Sequence, residues 1–168
     1  AQYGVGVKNA IQLAVNEVNA AGGVNGNKLK LVFEDDEADS GDKAVNAYNT
    51  LKDQGMQILL GTVTTGSCLA VVDKSKQDNI FQFTPSASAQ DVIANDNCFQ
   101  ICFTDPNQGK ASADYIADNK VATKIGVIYD SSDAYSSGIY NAFKTEAAAK
   151  GLELVSEQSF TKDSKTDF

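Results

Sequence analysis

Two stretches of this sequence hold the residues best suited to binding chemistry: Gly61-Thr62-Val63-Thr64-Thr65-Gly66-Ser67 and Thr84-Pro85-Ser86-Ala87-Ser88-Ala89. Each crowds hydroxyl groups between a short apolar run and a segment of helical character. Hydroxyls and main-chain amides that converge on a helix N-terminus meet its partial positive charge and favour an anion. Taken singly, either loop is equally well a set of N-caps, for which Ser and Thr are the usual residues. Two successive strands ending this way shift the balance toward a carboxylate site, because ligands of open α/β sheets sit outside the carboxyl ends of the strands.

Other candidates have plainer alternatives. Glu34-Asp35-Asp36 suits acid–base work or a divalent cation, and equally a solvated acidic turn. Asp130 follows the run Lys124–Tyr129, where a phospho-acceptor aspartate of a receiver domain would stand, and equally caps the next helix. Gly4-Val5-Gly6 opens like a dinucleotide fingerprint, but Asn9 stands where its third glycine belongs. The three cysteines, Cys68, Cys98 and Cys102, cannot all pair internally. If Phe99–Ile101 is a strand, Cys98 and Cys102 lie about 13 Å apart, too far for a disulfide. Free buried thiols, one bridge through Cys68, or a metal remain open, in that order.

Composition excludes more than these motifs include. The 168 residues carry a net charge of −8, all 14 cations are lysines, and histidine is absent. An acidic chain without arginine is a poor partner for nucleic acid, whose phosphates need clustered cations. Without histidine there is no His-dependent catalytic triad and no His-containing metal site. With no arginine fork, a bound carboxylate must be held by hydroxyls, amides or lysine. No catalytic residue, metal site or cofactor is expected.

The elements that must position the two loops alternate in type. Val7, Ala10, Ile11, Ala14, Val15 and Val18 recur at helical spacing up to Gly22-Gly23. Strands are expected at Lys28–Glu34, Met56–Val63, Ile80–Phe83, Phe99–Phe103, Lys124–Tyr129 and Leu152–Phe160. Helices are expected at Asp42–Asp53, Cys68–Lys76, Gln108–Asn119 and Ser136–Lys150. This rhythm gives an α/β fold, a parallel sheet with helices on both faces. The stretch 118–123 is the best candidate for a crossover between two units, 1–119 and 120–168. An α/β fold usually opens with a strand, and this chain opens with a helix, so it is expected to be incomplete at both ends.

Five stretches occur in the order they take in a known family: AQYGVGVKNAIQLAVNEVNAAGGVNGNKLKLVFEDDE, ILLGTVTTGSCLAV, FTPSASAQDV, CFQICFTDPNQGKASADYI and KIGVIYDSSDAYSSGI. They resemble the type I periplasmic solute-binding proteins, specifically the branched-chain amino acid receptors of ABC importers. The resemblance implies two α/β lobes closing on a ligand, with 1–119 the first lobe and 120–168 the start of the second. It implies an opening strand before Ala1, central in the first sheet, without which two strand edges stay unpaired. It assigns Val63, Thr64 and Thr65 to the ligand carboxylate, with Thr65 the hydroxyl. Ser86, Ala87 and Ser88 would meet carboxylate and ammonium, with Ser88 in place of a usual threonine. Tyr3 would wall the side-chain pocket and Tyr135 would close over the ligand from the second lobe. Two features depart from the family: Tyr135-Ser136 replaces a Tyr-Gly pair, and the cysteine pair bridged in some members is missing. The acidic partner for the ammonium is expected beyond Phe168. The implied protein is not an enzyme but an extracytoplasmic receptor (periplasmic, or a cell-surface lipoprotein). It would be monomeric when complete, would deliver leucine, isoleucine or valine to a membrane permease, and would have no affinity for nucleic acid. Within the same fold, amides, urea, aromatic acids or a sensory role are the alternatives.

Overall fold

The structure is a computed structural model and describes residues 2–38 and 41–164. Helix α1, Gln2–Ala20, ends where Gly22 and Gly23 take positive φ. A Cβ on Gly23 would fall 2.0 Å from the Asn27 carbonyl oxygen, so only glycine fits that turn. Gly4 and Gly6 lie inside this helix rather than in a phosphate-binding turn. The Asn19 carboxamide clamps Leu29, donating to its carbonyl and accepting from its amide, both at 2.8 Å.

The segment 28–34, expected as a strand, runs without ladder bonds. A strand needs a neighbouring main chain to pair with, and none lies beside it among the described residues. A cavity of about 490 Å³, lined by Ile11, Val32, Tyr48, Leu51 and Leu60 among others, also borders this segment. In the acidic turn that follows, Asp35 accepts from the Glu37 amide and Asp36 from the Ala38 amide, while Glu34 accepts from the Gln54 side chain at 3.4 Å and Glu37 pairs with Lys43.

Helix α2, Asp42–Asp53, has the bounds its periodicity predicts. Its Ala44 and Tyr48 pack on Leu59 and Val71, and the Tyr48 hydroxyl donates to Asp78 at 2.9 Å. Then follow β1 (Ile58–Leu60), α3 (Thr65–Gln77), β2 (Phe81–Thr84), a short 3-10 turn (Gln90–Ile93) and β3 (Cys98–Gln100). The three strands form a parallel sheet in the order β1-β2-β3. Alternation sends Leu59, Gln82, Thr84 and Cys98 to the buried face. The other face shows Ile58, Leu60, Phe81 and Phe99 to solvent, with the Phe81 and Phe99 rings stacked at 5.4 Å. Cys68 and Cys98 are buried free thiols and Cys102 a half-buried one.

Helix α4, Asp105–Asp118, precedes a second sheet in which β4, Lys124–Asp130, pairs in parallel with β5, Glu153–Phe160, around helix α5, Ala134–Ala149. Ala113 of α4 shares one core with Phe143, Ala147 and Leu152, backed by Ile125, Val127 and Leu154. The unit boundary expected at 119–120 would group α4 with the first sheet. Its apolar residues Ala113, Ile116 and Ala117 pack with Phe143, Ala147 and Leu152, beside the second sheet.

Candidate functional site

The two hydroxyl loops leave adjacent strands, β1 and β2, and side chains of β2 hold both. Gln82 and Thr84 stand two residues apart on the buried face, each fully enclosed. The Gln82 amide donates to the Gly61 carbonyl at 3.1 Å, while its oxygen accepts from the Ser75 hydroxyl at 2.7 Å. The Thr84 hydroxyl donates to the Thr62 carbonyl at 2.7 Å and accepts from the Ala87 amide at 3.0 Å. The Ser88 amide then donates to Thr65 Oγ1 at 3.2 Å, closing the link between the loops. Because Thr65 Oγ1 already accepts, its own proton remains available to a ligand. Thr64, the residue before α3, makes no side-chain cap; its hydroxyl lies 3.0 Å from that of Ser67. The first-turn amides of α3 are thus left to an incoming acceptor.

These loops form one wall of a cleft of about 960 Å³. Tyr3, Val63, Thr64, Thr65, Ser86, Ser88 and Tyr135, all named from the sequence, line it together. Ala87 does not: its side chain is fully buried with Cys68, Val72, Val92 and Cys98, and its carbonyl faces the Cys102 thiol. The opposite wall comes from the loop after β4, with Asp130, Ser132 and Asp133, and from Lys162. Asp130 accepts from the amide and hydroxyl of Ser132, and Asp133 caps α5 by accepting from the Ser136 amide at 3.1 Å. Leu69, Pro85 and Phe103 supply apolar surface. The described residues include no group of three or more acidic or thiol side chains placed to hold a metal.

A family model described as "Periplasmic binding protein" matches residues 1–168. The chain belongs to this family. The Leu/Ile/Val-binding protein homolog 3 of Brucella melitensis biotype 1 is 34% identical over 167 residues, which are 98% of this chain and 45% of that protein. The branched-chain amino acid binding protein LivJ of Streptococcus pneumoniae, solved with isoleucine, superposes with a TM-score of 0.88. It is 27% identical, and the match covers 99% of this chain and 47% of that one. A Rhodopseudomonas palustris solute-binding protein, solved with 3,4-dihydroxybenzoic acid, shares the fold at a TM-score of 0.86 and 21% identity, over 96% and 44% of the two chains. The chain therefore spans about half the length of the relatives it matches. The family consists of solute-binding proteins, which as a class act outside the cytoplasm.

In this periplasmic binding protein chain, Asp105 is the residue that sequence reasoning passes over. The helix expected from Gln108 starts three residues earlier, at Asp105, with Thr104 as its cap. Yet Asp105 is only 1% exposed, and neither carboxyl oxygen has a hydrogen bond in good geometry. Burial pushes its pKa up, the nearby Ser88 hydroxyl pulls it partly back, and Asp133 adds a further upward push. An aspartate raised on folding gives stability that is complete below its ordinary range and is lost as pH rises through the folded value. Wild-type stability is therefore expected to fall relative to Asp105→Asn as pH rises above the ordinary carboxylate range. Paired denaturation curves across that rise check this, and parallel curves would refute it.

Proposed function

We propose that this chain supplies the carboxylate-holding wall of an extracytoplasmic solute receptor for an ABC importer, with an aliphatic amino acid as solute. The observation that carries this reading is the linked pair of hydroxyl loops on one wall of an interlobe cleft. Thr65 and the first-turn amides of α3 hold the carboxylate, Ser88 sits beside them, and Tyr3 and Tyr135 flank the side chain. The first lobe ends and the second begins at 101–104, so that α4 travels with β4, α5 and β5 on closure. The Brucella relative's name and the isoleucine bound to LivJ support leucine, isoleucine or valine. The permease partner and an extracytoplasmic location follow from the same reading, as does the absence of catalysis.

Magnitudes assign the work to both walls. Charge-assisted hydrogen bonds contribute about 1.5–3 kcal/mol each, and association costs about 4–15 kcal/mol. Micromolar affinity requires about −8 kcal/mol, which one wall alone does not reach. Hinge closure adds the second wall and excludes water. Calorimetry on the full-length protein with leucine, isoleucine, valine, benzoate and urea tests the reading. Heat from the amino acids alone is the expected result; heat only from benzoate, or from no amino acid, overturns it.

A further inference from the structure

Among the described residues, the charged ones that line the cleft all stand on its second wall: Asp130, Asp133 and Lys162. The wall built from the hydroxyl loops offers hydroxyls, amides and apolar surface, with no charged side chain. Both aspartates are engaged, Asp130 with the amide and hydroxyl of Ser132 and Asp133 with the Ser136 amide. Lys162 Nζ has neither an ion pair nor a hydrogen bond among the described residues. Its main chain, by contrast, is fixed in place. Ser132 gives its proton to Asp130 Oδ1 at 2.6 Å and turns a lone pair to the Lys162 amide, which donates to it at 3.2 Å. Ser131 ties the end of β5 to the same loop, donating from its amide and hydroxyl to the Phe160 carbonyl at 2.9 and 3.1 Å. Thr161 and Ser164 then exchange two main-chain hydrogen bonds, which puts Lys162 and Asp163 at the tip of the turn. A free cation is thus held at the cleft by its backbone alone, facing a wall shaped for an anion.

We propose that Lys162 is a specificity-determining residue of the second wall, pairing with the solute carboxylate when the cleft closes. A solute drives closure only through contacts that the closed state makes and the open state lacks. The Thr65 hydroxyl and the α3 amides belong to the first wall, so they grip the carboxylate equally in both states. Asp130 and Asp133 would repel it. Lys162 has the sign that favours approach, and its flexible four-carbon stem reaches across without displacing the turn. While the cleft is open, an exposed ion pair contributes little. Once closure excludes water, the same pair gains strength. The lysine therefore acts mainly on the closed state, slowing release of solutes that carry a carboxylate. Because the contact is to the carboxylate, it selects acids over their amides and is indifferent to the amino group.

The pairing rests on the carboxylate-holding wall proposed above, and its test uses the full-length protein. Leucine and leucinamide are compared by calorimetry in the wild type, Lys162→Met and Lys162→Arg. Lys162→Met is expected to weaken leucine about tenfold, the size of one charge-assisted hydrogen bond, and to leave any leucinamide binding unchanged. Lys162→Arg should restore most of the loss. In a second arm the lysines are 13C-methylated and followed by NMR, with the Lys162 signal assigned through Lys162→Arg. That signal is expected to move when leucine is added. An unmoved signal, an undiminished leucine affinity in Lys162→Met, or equal losses for leucine and leucinamide overturn the pairing and leave the amino-acid reading standing. Glutamate bound more tightly than leucine, with the excess lost in Lys162→Met, would put the lysine on the solute side chain and also overturn it. A wild type that takes benzoate in place of leucine overturns the amino-acid reading alone, and benzoate against benzamide then tests the lysine in the same way. A wild type that binds neither acid overturns both.

Discussion

Gly109→Ala is expected to destabilise the full-length protein by about 2 kcal/mol. The added Cβ would lie 2.4 Å from the Ile139 carbonyl oxygen and 2.7 Å from the Phe143 amide nitrogen. Both are main-chain atoms of α5, so no rotamer change relieves the contact and α5 must move as a body. Overpacking of this kind costs about 3 kcal/mol at the upper end of its usual range. Replacing glycine by alanine within a helix returns about 1 kcal/mol, which is too little to change the sign. Gly6→Ala is the control: it lies in α1 with nothing within 4 Å of the added Cβ, so only the propensity gain remains. Chemical denaturation of the two variants should move the midpoint in opposite directions. A neutral Gly109→Ala would mean that α4 and α5 are not in close contact.

Thr65→Val should weaken solute binding by about ten- to a hundredfold and also lower stability. The hydroxyl accepts from the Ser88 amide at 3.2 Å, and on the function proposed above it donates its own proton to the solute carboxylate. Valine keeps the shape and loses both. A hydrogen bond to a charged group is worth about 1.5–3 kcal/mol, and a buried amide left alone costs about 1–3 kcal/mol. Ser88 is 3% exposed, so water does not readily replace the lost acceptor. Thr65→Ser should restore most of both effects. Calorimetry with leucine and denaturation of the solute-free protein measure the two losses separately. A binding loss without a stability loss would mean that Ser88 has another acceptor.

Much of this arrangement is legible in the sequence, and the gaps have physical causes. The loops at 61–67 and 84–89 are visible because hydroxyls gathered before a helix are a local pattern. α2 is visible for the same reason, as one apolar face bounded by Asp42 and Asp53. Lys28–Glu34 alternates like a strand, but alternation does not supply the neighbouring main chain that makes one. The second wall, with Ser132, Asp133 and Lys162, is brought to the cleft only by the β4–β5 pairing, which no local pattern announces. Asp105 is not legible because it lies outside the apolar periodicity that marks the helix from Gln108 onward. Its burial depends on Gly138, 33 positions later. The same helix crossing explains why α4 joins the second sheet: Gly109 and Gly138 are small residues whose purpose appears only when the two helices meet.

Gln82 and Thr84 project from one face of one strand, yet between them they fix the starting points of both hydroxyl loops. That separates the receptor's grip from its taste. On the function proposed above, substitutions along 130–135 or at Tyr3 would change which solutes fit, while the loops at 61–67 and 84–89 keep their shape because β2 anchors them. On the same reading, a lineage would acquire new solutes by altering the facing wall alone. The same anchoring makes β2 the place where a single change would blunt every solute equally.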